Sequence, residues 1–176
     1  MLNKPLAILC TVLGLSGCAG VSPEAYRAQT PTLDIATYFN GPLTAWGYFS
    51  DRSGEVKRRF TVNMTGVWQG NEGVLTENFD WSDGEKSQRI WRITKVDAHR
   101  YIGRADDVKG EATGTAYGNA LRWKYTLLLP VDGKTYEVQF DDWMYLMDDS
   151  VMLNKSEMRK FGFKLGEIVI SFRRGP

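Results

Sequence analysis

Period-two alternation of apolar and polar residues, broken at short intervals by turn signals, is the feature that most constrains this chain. Phe60, Val62, Met64 and Trp68 share one parity, against Arg59, Thr61 and Asn63 on the other. Leu75, Phe79 and Trp81 alternate with Thr76, Asn78 and Asp80, and Leu121, Trp123, Tyr125, Leu127 and Leu129 with Arg122, Lys124 and Thr126. Tyr136, Val138 and Phe140, then Ile168, Ile170 and Phe172, repeat the pattern. Each stretch is a strand with one dry and one wet face. Between them stand Asp51-Arg52-Ser53-Gly54, Gln69-Gly70-Asn71-Glu72-Gly73, Ser82-Asp83-Gly84, Gly118-Asn119 and Asp132-Gly133, which supply Gly or Asn where hairpin turns need positive φ. No long helical period intervenes, so consecutive strands are antiparallel neighbours. A meander of about nine or ten such strands leaves bare edges unless it closes. The expected fold is all-β, an antiparallel up-and-down meander closed into a lipocalin-like (calycin-like) barrel. An open sandwich is the competing architecture.

The amino-terminal region obeys a different logic. Lys4 is the only charge before Glu24, and the apolar run Leu6–Leu15 is too short to span a bilayer. It fits the apolar middle of a signal peptide, here a signal helix over residues 1–17. Leu15-Ser16-Gly17-Cys18 follows and resembles the bacterial lipobox, in which the cysteine receives lipid. The plainer alternative is an ordinary secretory signal cut nearby, with Cys18 incidental. Lipidation at Cys18 implies a membrane partner reached through two or more acyl chains, each buried methylene contributing about 0.8 kcal/mol. Ala19, where an aspartate would favour inner-membrane retention by resemblance to Gram-negative lipoproteins, points to the outer membrane. Cys10 leaves with the signal, so the mature chain has one cysteine and no internal disulfide. Residues 18–32 read as a flexible tether and residues 33–176 as one barrel domain, with Leu33–Phe39 a short helical turn that docks Leu33 and Phe39.

Charge and motif content exclude several function classes. The chain carries 22 basic and 21 acidic residues, without the basic excess expected of a nucleic-acid binder. His99 is the single histidine, so a zinc site is not expected, and no other metal or cofactor is assigned. Asp141-Asp142 and Asp148-Asp149 lack EF-hand spacing, and the second pair reads as a turn. No Gly-x-Ser-x-Gly elbow is present in the mature chain, and His99 reads as the exposed end of a hairpin. Gly133-Lys134-Thr135 imitates the end of a P-loop, but Leu128 stands where its first glycine belongs. Gly110, Gly114 and Gly118 recur without a following helix and mark bends or close packing.

Several phrases together carry a family resemblance. They are Leu43–Gly54, Lys57-Arg58-Arg59-Phe60, Arg89-Ile90-Trp91, Asp106–Gly110, Asp141–Tyr145 and Asn154–Gly162. Across the mature chain the sequence resembles an uncharacterised family of proteobacterial lipoproteins, domain of unknown function 3833. The resemblance implies no established activity and no catalytic residues.

Candidate site residues follow from polar groups on apolar faces. Glu77 shares parity with Leu75, Phe79 and Trp81; Asp142 with Tyr136, Val138, Phe140 and Met144; and Arg92 with Ile90 and Val96, although Trp91 and Ile93 make that strand ambiguous. Buried charges are costly unless paired or liganded. The chain has six Trp, eight Tyr and eight Phe, enough rings to wall a cavity or to fill it. The expected site is a cleft walled by Trp68, Phe79, Trp81, Trp123, Tyr125 and Phe140, with Glu77, Arg92 and Asp142 as polar contacts. Three readings remain open. One is a module binding a small apolar ligand such as a fatty acid or lipid derivative. Another is an envelope structural or assembly protein whose barrel is filled and pinned by internal ion pairs. The third is a lipid-modifying enzyme using an interior carboxylate. Cavity volume separates the first two.

Overall fold

A computed structural model describes residues 20–175. After a 3-10 turn (Pro23–Tyr26) and one turn of helix, α1 (Ile35–Tyr38), the chain forms ten strands. They are β1 (Gly41–Asp51), β2 (Val56–Gln69), β3 (Glu72–Trp81), β4 (Lys86–Lys95) and β5 (Arg100–Arg104), then β6 (Ala112–Tyr117), β7 (Ala120–Val131), β8 (Lys134–Leu146), β9 (Val151–Lys160) and β10 (Phe163–Arg174). Each pairs antiparallel with its neighbours in sequence, and β1 closes on β10 from Leu43↔Arg174 to Asp51↔Gly166. The architecture is therefore a lipocalin-like, calycin-like closed barrel and not an open sandwich. Closure leaves no strand edge unpaired along β1 and β10.

The five turn signals fall between β1 and β2, β2 and β3, β3 and β4, β6 and β7, and β7 and β8. The inward parity is the one read from the alternation on β2, β3, β7, β8 and β10. On β7, for instance, Leu121, Trp123 and Leu127 are buried while Lys124 is exposed. Glycines make room for the largest ring of that strand. A Cβ on Gly103 or on Gly114 would lie 2.4 Å from the Trp123 indole, so the ring lies flat on β5 and β6.

One end of the barrel is stoppered. Leu33, Ile35, Tyr38 and Phe39 are all buried. The Asp34 carboxylate caps α1 by accepting from the Thr37 amide at 2.8 Å and also pairs with Lys95. The Leu33 amide donates to the Gly118 carbonyl at 2.8 Å, the Tyr38 hydroxyl donates to the Ser150 carbonyl at 3.0 Å, and Phe39 meets Phe172 edge-on at 5.8 Å. The Phe39 carbonyl crosses so close to β2 that a Cβ on Gly66 would sit 1.6 Å from it. That crossing makes the floor of the lumen.

Part of the stretch expected to be a flexible tether is docked instead. Tyr26 packs on Trp143 and Tyr145 at 5.9 and 5.4 Å, and the Arg27 guanidinium lies 4.3 Å from the Tyr117 ring centre. Outward rings on β6 and β8 give residues 23–27 something to bury against, which their own composition does not reveal.

Candidate functional site

Above the floor the inward faces enclose a cavity of about 630 Å³. Its aromatic wall rises in tiers. Trp91 meets Trp123 and Tyr125 edge-on at 5.7 and 5.5 Å, and Tyr125 stacks on Phe140 at 4.9 Å. Nearer the mouth, Phe79 stacks on Trp81 at 5.5 Å, and Phe60 tilts against both at 5.8 and 5.0 Å. The Arg58 guanidinium covers the outer ring, 4.1 Å from the Trp81 centre.

The wall is incomplete on one side. β5 pairs with β4 only between Lys95 and Arg92, which leaves β4 from Lys86 to Trp91 without a neighbour on that flank. The loop from β5 to β6 crosses the gap and is stitched to β7, the Leu128 amide donating to the Asp107 carbonyl at 2.7 Å and the Lys109 amide to the Thr126 carbonyl at 2.9 Å. This places Asp107 opposite Arg89. The guanidinium Nε and Nη2 donate to Asp107 Oδ2 at 2.9 and 2.7 Å, so one charge-assisted pair latches the seam.

The other polar groups lie deeper. Glu77 stands directly across from Arg89 in the β3–β4 register and is 8% exposed; Asp142, opposite Ser156 on β9, is 6% exposed. Burial pushes the Glu77 carboxyl up to about 7, with the Arg89 charge pulling the other way and Asp107 adding to the rise. Asp142 is likewise pushed up to about 7 by burial, against the Ser156 hydroxyl and the Arg89 charge. Burial also raises the Tyr125 phenol well above its usual value, which keeps it neutral. The Ser156 hydroxyl donates to Asn154 Oδ1 at 3.1 Å, and both residues are buried. Oδ1 of Asp142 and Oδ1 of Asp107 are buried with no hydrogen-bond partner.

Of the residues singled out from the sequence, Glu77, Phe79, Trp81, Trp123, Tyr125, Phe140 and Asp142 line this cavity together. Arg92 does not. It is exposed on the outer face, because a period of two that buries Trp91 and Ile93 turns Arg92 outward and Arg89 inward. Trp68 does not either. It has the inward parity but lies beyond the Phe39 crossing, folded over Gly73, whose Cβ would come within 2.4 Å of the indole. Arg89, Trp91, Asp107, Asn154 and Ser156 belong to the site and were not singled out as ligand contacts. Asn154 and Ser156 had a legible signal, since they share parity with Met152 and Met158. Asp107, on a loop, had none. Cys18 and the signal segment lie outside the described residues.

A closed antiparallel barrel with a walled lumen and a few buried polar groups defines a calycin-like protein. The chain belongs to the family described as "Protein of unknown function (DUF3833)", whose model matches residues 12–174. No curated protein matches it. Among solved structures it is similar to the S-type phycobiliprotein lyase CPES from Guillardia theta, with a TM-score of 0.59 at 6% identity over 81% of this chain and 91% of that one. It is also similar to Rv2717c from M. tuberculosis, with a TM-score of 0.58 at 12% identity over 84% and 99% of the two chains. A third likeness is to a DUF3598-family protein of unknown function from Nostoc punctiforme, with a TM-score of 0.57 at 9% identity. It covers 84% of this chain, which spans about half (51%) of that protein's length. At such identities the likeness is one of fold.

Proposed function

We propose that this protein is a binding module that holds a small, largely apolar molecule in its barrel. The observation that carries the reading is the lumen of about 630 Å³. Filled interiors leave few voids larger than a water molecule, whereas ligand sites run from roughly 300 to 1,000 Å³. The rings of Trp91, Trp123, Tyr125 and Phe140 supply apolar contact area, and a small number of fixed polar groups supply orientation. The similarity in fold to a phycobiliprotein lyase is in keeping with a barrel that accommodates a molecule. The filled, purely structural barrel is disfavoured by the same volume.

We further propose that the module is carried on the cell envelope by lipid on Cys18, at the outer membrane and facing the periplasm. The motif Leu15-Ser16-Gly17-Cys18 supports this. Because the chain is packed on the barrel from Pro23, which is buried, four residues separate the anchor from the docked segment. At full extension the five Cα–Cα steps from Cys18 to Pro23 reach about 17 Å, so the barrel would be held close to the bilayer, near any lipid-derived ligand.

The test is a titration of the purified protein with the neutral fluorescent probe N-phenyl-1-naphthylamine. Saturable enhancement with about one site per chain, weakened at least tenfold in a variant that fills the lumen, Val62→Trp, is the expected result. An unsaturable response, identical in wild type and variant, overturns the binding reading.

A further inference from the structure

The polar lining, wall by wall, has a marked imbalance of charge. β1 and β10 present only apolar side chains to the lumen, among them Phe49, Ile168 and Phe172, and β2 presents Phe60, Val62 and Met64 with Arg58 at its outer end. β3 presents Glu77, β4 presents Arg89 with the neutral Ser87 and Gln88 towards the mouth, the β5–β6 loop Asp107, β7 Tyr125, β8 Asp142, and β9 the neutral pair Asn154 and Ser156. At the mouth Arg58 is already held by Asp83 and Glu85, at 2.8 and 2.9 Å. Below the Arg58–Glu85 pair at the mouth, the lining thus sets three carboxyl groups, that of Asp107 at the half-exposed seam, against one guanidinium, which gives both its Nε and Nη2 to Asp107.

We propose that the bound molecule is an amphiphile whose polar end is a cation or N–H donor, in the simplest case a protonated amine, and not a free carboxylate. The inference rests on the binding reading above and narrows it. An incoming carboxylate would have to share Arg89, whose charge Asp107 already offsets, and sit beside Glu77 and Asp142; a carboxyl among carboxylates binds only by taking up protons. A cationic or donor group meets the opposite situation. Oδ1 of Asp142 and Oδ1 of Asp107 are buried acceptors with no donor in the protein, and a buried acceptor left alone costs about 1–3 kcal/mol. Arg58 Nε, a donor without an acceptor, is the opposite case at the mouth, so the unmet demand of the deeper lumen is for a donor. The complement is an organic group and not a metal ion, because among the described residues no three His, Cys, Asp or Glu side chains converge closely enough to hold one.

Protonation follows the same direction. Burial pushes the Glu77 and Asp142 carboxyls both up to about 7. A cation beside them favours their ionised forms and lowers both values, so amine affinity rises as pH rises through neutrality. A carboxylate favours their protonated forms, and its affinity falls over the same range.

Competition against N-phenyl-1-naphthylamine at about pH 8 with chain-matched dodecylamine and laurate tests the proposal. Dodecylamine should displace the probe at least about tenfold more effectively than laurate, equivalent to about 1.4 kcal/mol. The advantage should shrink at about pH 5.5 and disappear in the Glu77→Gln/Asp142→Asn double variant, each competitor's inhibition constant being taken against that variant's own probe affinity. Laurate competing as well as the amine at pH 8, or an amine advantage unchanged in the double variant, overturns the proposal while leaving a working pocket. Failure of the neutral probe itself to bind would instead overturn the binding reading on which it rests.

Discussion

Two buried carboxyls that titrate near neutrality make the stability of this barrel fall as the solution becomes more basic. Glu77 has an ordinary value of 4.5 and Asp142 one of 3.8, and the folded chain carries both up to about 7. Between those limits the folded state binds more protons than the unfolded chain, so unfolding free energy decreases with pH. The stability is fully present below about pH 4 and is lost progressively up to the folded values near 7. At about 1.4 kcal/mol per pH unit, Glu77 removes about 3 kcal/mol by pH 8 and Asp142 about 4 kcal/mol. Both residues are below a tenth exposed, so solvent screening takes little from these figures. Asp51 and Asp97, whose carboxyls are held down to about 2 by turn hydrogen bonds, act in the opposite direction but only at more acid pH. The neutral replacements Glu77→Gln and Asp142→Asn should therefore stabilise only modestly at pH 5, by about 1 and 2 kcal/mol, and more at pH 8, by about 3 and 4 kcal/mol. For a domain of this size each kcal/mol moves the melting temperature by about 2–4 °C. Urea denaturation of wild type and both variants at pH 5 and 8 is the assay. A wild-type stability that is flat or rises from pH 5 to 8, or variants that destabilise equally at both values, would refute the reasoning.

Trp123→Ala empties the space between β5, β6 and Trp91 and should cost about 3–5 kcal/mol in chemical denaturation. Gly66→Ala places a Cβ on the path of the Phe39 carbonyl, so it should destabilise the fold by more than the few tenths expected at an ordinary strand glycine; loss of hydrogen-exchange protection in residues 33–39 would show it. Arg92→Ala, on the outer face, should change stability by less than about 0.5 kcal/mol, whereas Arg89→Ala strands Asp107 at the seam and should cost clearly more. Cys18→Ser should abolish incorporation of labelled palmitate and release the protein from the membrane fraction.

The alternation of Phe79 with Asp80, of Trp123 with Lys124 and of Phe140 with Asp141 settled the strands by itself, because a strand with one dry face has a single compatible residue parity. The turn glycines Gly54, Gly84 and Gly133 settled where the chain reverses, and strands joined that way can only be antiparallel neighbours. From these local rules Glu77 and Asp142 could be placed inside without coordinates. What tertiary structure alone decided depends on contacts between distant segments. On β4 both parities offered apolar residues, and the choice fell to the wall that could bury Trp91 and Ile93 and give Arg89 a partner, Asp107, on a loop eighteen residues away. Trp68 carried the right parity and still fell outside the lumen, because the crossing of Phe39 over Gly66 set the floor, and no pattern within β2 records that crossing. The same holds for the cavity. A list of large inward rings is compatible with a filled barrel or an open one, and only the closure of ten strands into a ring, with α1 stoppering one end, fixes the radius that leaves the space between them.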